Sequence, residues 1–162
     1  HNMDELQSWL DATQGVTFVG YGSRKFDSIL LTKNHGVNGD HIDLTEIISD
    51  ASANHYGDYG RRYDIQELAL LNQITQTAIP HLSFLLKPLA LLAEWRRGLA
   101  RNVLKTIAAE TELIARLFSQ VVVHEELKIM DERTERSVTI PVQNARDVHQ
   151  YTVPIADIKE EE

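Results

Sequence analysis

Val16-Thr17-Phe18-Val19-Gly20-Tyr21-Gly22-Ser23-Arg24-Lys25-Phe26-Asp27-Ser28-Ile29-Leu30-Leu31 decides how this chain is read. The apolar, β-branched opening over 16–19 predicts a strand, and the two glycines predict a tight turn. The turn opens into a helical pattern with Phe26, Ile29 and Leu30 on its core side. In α/β folds ligands collect at the carboxyl ends of such strands. Asp27 falls just beyond that end, where an acid on a rigid element reaches a metal or substrate rather than open water.

Moving outward, residues 4–12 predict a short amphipathic helix with Leu6, Trp9 and Leu10 on one face, capped by Asn2 and Glu5 and closed by a turn at 13–15. Residues 33–40 read as loop, rich in residues that tolerate positive φ. Asp43 with Glu46 forms a second capping box, and Ile42, Leu44, Ile47 and Ile48 give the next helix its apolar face. A polar loop over 52–62 follows, and Asp64 with Glu67 opens a helix over 65–71. Pro80 and Pro88 break the hydrophobic stretch 79–95 into kinked or separate helices.

Residues 99–120 carry the strongest helical period, with Ala100, Leu104, Ile107, Thr111, Ile114 and Phe118 as the expected core stripe. Beside it runs the row Leu99, Val103, Thr106, Glu110, Leu113 and Leu117, which sets Glu110 at the border of the buried face, where a carboxylate needs a partner. Residues 121–130 and 137–142 alternate as the strands of a β-hairpin around a charged loop. The expected organisation is one domain over 1–142, with 121–142 as a hairpin extension and 143–162 as a C-terminal tail that has short apolar pieces over Tyr151 to Ile155 and a solvated acidic end.

A length of 162 residues suits one core without metal or disulfide staples. The absence of cysteine excludes a disulfide frame, thiolate chemistry and a zinc ribbon, and fits a reducing, cytoplasmic setting. No apolar stretch suits a membrane span. The net charge of −8 opposes broad attraction to phosphates, although a metal-dependent nuclease holds an acidic cluster of its own.

A strand, a Gly-Tyr turn and then Phe26-Asp27 resemble the second motif of DEDD-type 3′–5′ exonucleases, which have a ribonuclease H-like fold. The family writes Gly-Phe/Tyr-Asn before Phe-Asp, and Gly22 stands here in place of the asparagine. The resemblance continues through Ile42-Asp43-Leu44 and the 65–71 helix to Trp95-Arg96-Arg97-Gly98, which is similar to a Trp-Arg-x-Gly of a helicase-associated branch. In the last helix, Glu110-Thr111-Glu112-Leu113 lies over the family's Asp-Val-Glu-Leu. Relatives also close their charged hairpin with Asp-x-x-Thr-Gly, where this chain has Asp131 to Thr134 and then Glu135.

The resemblance implies an α/β, N-terminally shortened ribonuclease H-like fold with a C-terminal β-hairpin. It implies Asp27 and Glu110 as remnants of the catalytic, metal-binding carboxylates for Mg²⁺ or Mn²⁺. Tyr21, Arg24, Lys25, Arg61 and Arg62 are the candidate nucleic-acid contacts. Family chemistry needs two ions about 3.5–4 Å apart, held by four carboxylates. The Asp-x-Glu of the first strand has no counterpart, Thr106 stands where a water-orienting tyrosine would be, and Lys105 where the sister class has histidine. The expectation is an exonuclease-like module of nucleic-acid processing, non-catalytic or completed by a partner. That partner is a second copy or a separate chain bringing the missing strands. The alternatives are an active metal-dependent 3′–5′ exonuclease, and an assembly protein with no nucleic-acid link.

Other constellations offer less. His35 and His41 lack metal-ligand spacing and read as polar loop residues, and Ser23 and Ser28 lack a nucleophile-elbow context. Arg61-Arg62-Tyr63 and Trp95-Arg96-Arg97 suit phosphates and bases, or act as ordinary surface charges.

Overall fold

The computed structural model describes residues 3–23, 36–37, 39–57, 63–74, 87–131, 133–142, 148–155 and 158. Their contacts gather into two compact units, His1–Gly60 with Val142–Glu162, and Arg61–Pro141, where the sequence reads as one domain over 1–142. The architecture is mixed α/β.

The first unit is built on a strand that periodicity conceals. β2 (Asp40–Asp43) is the middle of a three-stranded sheet, and His41, Ile42 and Asp43 are all buried. Burial on both faces erases the polar–apolar alternation by which a strand is recognised. Asp40 therefore begins a strand rather than ending a loop, and Ile42 belongs to that strand rather than to the helix after it. β1 (Thr17–Gly20) lies parallel to β2, with Thr17 opposite Asp40 and Gly20 opposite Asp43. A parallel pair requires a crossover connection rather than a hairpin.

On the other side of β2, the short β5 (Val153–Pro154) pairs antiparallel, and the Ile155 amide donates to the Gly39 carbonyl at 2.8 Å. Ile155 is packed with Leu10 and Val37, and half-buried Phe18 leans on the same cluster. Full burial of such a side chain contributes about 1.5–3 kcal/mol, enough to hold this segment down. The apolar pieces expected in the tail over Tyr151–Ile155 thus supply the edge strand β5 and, through Ile155, part of the core.

α1 (Met3–Ala12) buries Leu10 but leaves Trp9 at 57 % exposure, so the predicted apolar face is narrower than its sequence. α2 (Leu44–Tyr56) buries Leu44, Ile47, Ile48, Ala51 and Ser52 and ends at Gly57, in the left-handed region at φ 69°. It therefore absorbs residues 52–56 of the expected polar loop. A 3₁₀ turn (Val148–Tyr151) follows Val142 in this unit. Burial, then the charge of Asp50, a hydrogen bond with it and the charge of Glu46, push the Tyr151 phenol up from 10.0 to about 12.

The second unit is a helical layer on a hairpin. α3 (Ile65–Leu71) is capped as expected, the Asp64 carboxylate accepting from the amides of Gln66 and Glu67 at 2.8 and 3.3 Å. Beyond its C-terminus, the Asn72 side chain accepts from the Lys128 amide at 2.8 Å and donates to the Lys128 carbonyl at 2.9 Å. α4 (Lys87–Arg96) turns through Gly98, at φ 77°, into α5 (Ala100–His124). β3 (Glu126–Asp131) and β4 (Arg136–Pro141) form the antiparallel hairpin.

Two expectations shift here. α5 runs four residues past 120, so Val121–His124 are helical rather than strand. Its buried residues are Val103, Leu113, Leu117 and Val121, whereas Leu104 and Ile107 are 61 % and 47 % exposed. The core-facing stripe is the neighbouring row. The two rows lie about 100° or less apart on the helix surface, and periodicity alone does not choose between them.

Candidate functional site

The parallel strands place their carboxyl ends side by side, and the turn after β1 meets the start of α2 there. Asp43 makes that junction. Its Oδ1 accepts from the Gly22 amide at 2.8 Å, the Thr45 amide at 2.9 Å and the Thr45 hydroxyl at 2.7 Å. One oxygen caps α2 and pins the turn, and Asp43 is only 3 % exposed. Ser23, also buried, shares a hydrogen bond of 2.9 Å between its Oγ and Nε2 of buried His41. His41 is therefore a strand residue bonded to the turn, not the polar loop residue its sequence setting suggests.

Backbone conformation explains the glycines. Gly22 lies in the left-handed region at φ 65°, while a Cβ on it would meet nothing nearer than Thr45 Cγ2 at 3.9 Å. The conformation, not the space, favours glycine or asparagine. At Gly20 the reason is space, because a Cβ would overlap the Ser23 side chain.

Of the expected site residues, Tyr21 lies in this turn, half-buried. Asp27, Arg24, Lys25, Arg61 and Arg62 lie outside the described residues, as does His35. Glu110 is half-buried at mid-α5, in the same row as buried Val103, Leu113 and Leu117. Among the described residues, no three histidine, aspartate or glutamate side chains gather to hold a metal ion. The described acids thus offer no complete donor set for the Mg²⁺ or Mn²⁺ that the resemblance implies. No helix of the described residues is long and apolar enough to cross a membrane.

Sequence reasoning identified Asp43 as a helix cap but missed its bond to Gly22, and it missed the Ser23–His41 pair. The signal was the left-handed glycine beside an acid at the next strand end, legible only once β2 is recognised. Chemically, the arrangement is a rigid turn with exposed backbone at the carboxyl end of a parallel pair, the usual ligand position of α/β sheets. Comparisons with protein-family models, curated proteins and solved structures find no match. The fold itself assigns the chain to the mixed α/β class.

Proposed function

We propose that this chain is an exonuclease-like domain of nucleic-acid processing, of ribonuclease H-like descent, whose two-metal site is incomplete. It acts as a non-catalytic module or as part of an enzyme completed by a second copy or another chain. The observation that carries the reading is Gly22, left-handed at the end of β1 and tied to Asp43 at the end of parallel β2. The family's asparagine at that position tolerates the same conformation, so glycine for asparagine is a physically conservative exchange. The hairpin supports it independently. Asp131 accepts from the Arg133 amide and the Thr134 hydroxyl, each at 2.9 Å, and Glu135 takes the left-handed φ of 53° where relatives carry glycine.

Asp27 and Glu110 are the proposed remnant ligands, holding a metal weakly or not at all in the isolated chain. Calorimetric titration with Mn²⁺ tests the remnant. Weak binding that disappears in both Asp27→Ala and Glu110→Ala supports the reading. Binding that neither substitution alters removes Asp27 and Glu110 as ligands, and no binding at all leaves the non-catalytic or partner-completed module.

A further inference from the structure

The chain is acidic, with a net charge of −8, yet the α4–α5 turn concentrates cations. Arg96 ends α4, Arg97 lies in the turn, and Arg101 and Lys105 follow on α5. All four are exposed, and none of them forms an ion pair among the described residues. By contrast, Arg116 further along α5 pairs with Glu112 and reaches the Ile74 carbonyl.

Helix stability does not account for the charge that opens α5. The first turn of α5 contains no acid, Leu99 supplies no side-chain cap, and Arg101 lies in that turn. A cation in the first turn opposes the helix macrodipole, so Arg101 weakens the helix it stands on, whereas Arg96, in the last turn of α4, suits its own. They lie around exposed aromatic and apolar surface, with Trp95 57 % exposed and Leu92 and Leu104 44 % and 61 % exposed. The turn that presents them is well fixed. Arg97 and Leu99 donate their amides to the Glu94 carbonyl at 3.1 and 3.0 Å, and Gly98 donates to Trp95 at 3.0 Å.

We propose that this α4–α5 surface docks single-stranded nucleic acid, with Trp95 stacking on a base and Arg96, Arg97, Arg101 and Lys105 neutralising phosphates. Arg101 and Lys105 are one helical turn apart, about 6 Å along the axis, and so present successive charges to an extended backbone. A membrane surface is the less suitable occupant. Stepping about 100° per residue places Arg101 and Lys105 toward the middle of α5's exposed arc, so insertion would bury both charges. The inference deepens the nucleic-acid link proposed above but uses none of its metal ligands.

The test is fluorescence anisotropy of a labelled oligothymidylate with the full chain in EDTA, where no metal site contributes. Four phosphate contacts to a single strand give a log–log salt slope of about −2.8, or roughly 50-fold weaker binding at 200 than at 50 mM salt. The double variant Arg101→Ala/Lys105→Ala is expected to halve the slope. Trp95→Ala is expected to weaken binding about tenfold and to abolish quenching of the indole by the oligonucleotide. Far-UV circular dichroism checks that these surface variants fold. Absence of binding, a slope unchanged in the double variant, or binding to anionic phosphatidylglycerol vesicles in place of the oligonucleotide overturns the proposal. Failure here with metal binding intact would remove this surface and leave the exonuclease kinship standing.

Discussion

Asp43→Ala is the most informative single change in the first unit. It removes the acceptor for three donors at 2.7–2.9 Å from a side chain that is 3 % exposed. Losing an N-cap of this kind costs about 1 kcal/mol. Losing a charged hydrogen bond to the Gly22 amide adds about 1.5–3 kcal/mol. The sum is about 2.5–4 kcal/mol, whereas Asp43→Asn keeps an oxygen acceptor and costs about 1 kcal/mol. Urea unfolding followed by circular dichroism gives both values, and hydrogen exchange at Gly22 localises the effect. The Gly22 amide should be protected in the parent chain and exchange freely in Asp43→Ala. A loss under about 1 kcal/mol, or unchanged Gly22 exchange, would refute the idea that this carboxylate couples turn to helix.

Three further outcomes follow from backbone and charge. Gly22→Asn should leave the unfolding midpoint nearly unchanged, while Gly22→Val, with equal room but no tolerance of φ 65°, should lower stability by about 1–2 kcal/mol. Glu135→Gly should raise stability by about 0.5–1 kcal/mol in thermal unfolding, because the native φ of 53° suits glycine. The Tyr151 phenol keeps its proton in the folded chain after the unfolded chain has released it, so its contribution is intact below about pH 10 and is lost as pH rises toward 12. Solvent screening reduces that contribution to about 1 kcal/mol. Unfolding of Tyr151→Phe across that range should lack this part of the decline.

How legible each element was depended on which physical signal fixed it. Caps were legible, because Asp43 and Asp64 act through bonds made within three residues. The hairpin was legible from alternation on either side of a charged loop, with ends displaced because α5 takes Val121–His124. β2 was hidden because a central strand carries no alternation, and β5 because two residues are too few to show a pattern. The buried row of α5 is decided by what packs against it, a long-range property that adjacent apolar rows leave ambiguous. In the site, Gly20 and Gly22 marked the turn, but the partners His41 and Asp43 lie about twenty residues away across the sheet.

The central proposal is an exonuclease-like domain of nucleic-acid processing whose own two-metal site is incomplete. Incubating the chain with Mn²⁺ and a 5′-labelled single-stranded oligonucleotide, followed by a denaturing gel, tests that claim most directly. The account predicts that the oligonucleotide remains full length in the absence of any other chain. Shortening from the 3′ end that Asp27→Ala abolishes would contradict it and establish the active enzyme instead.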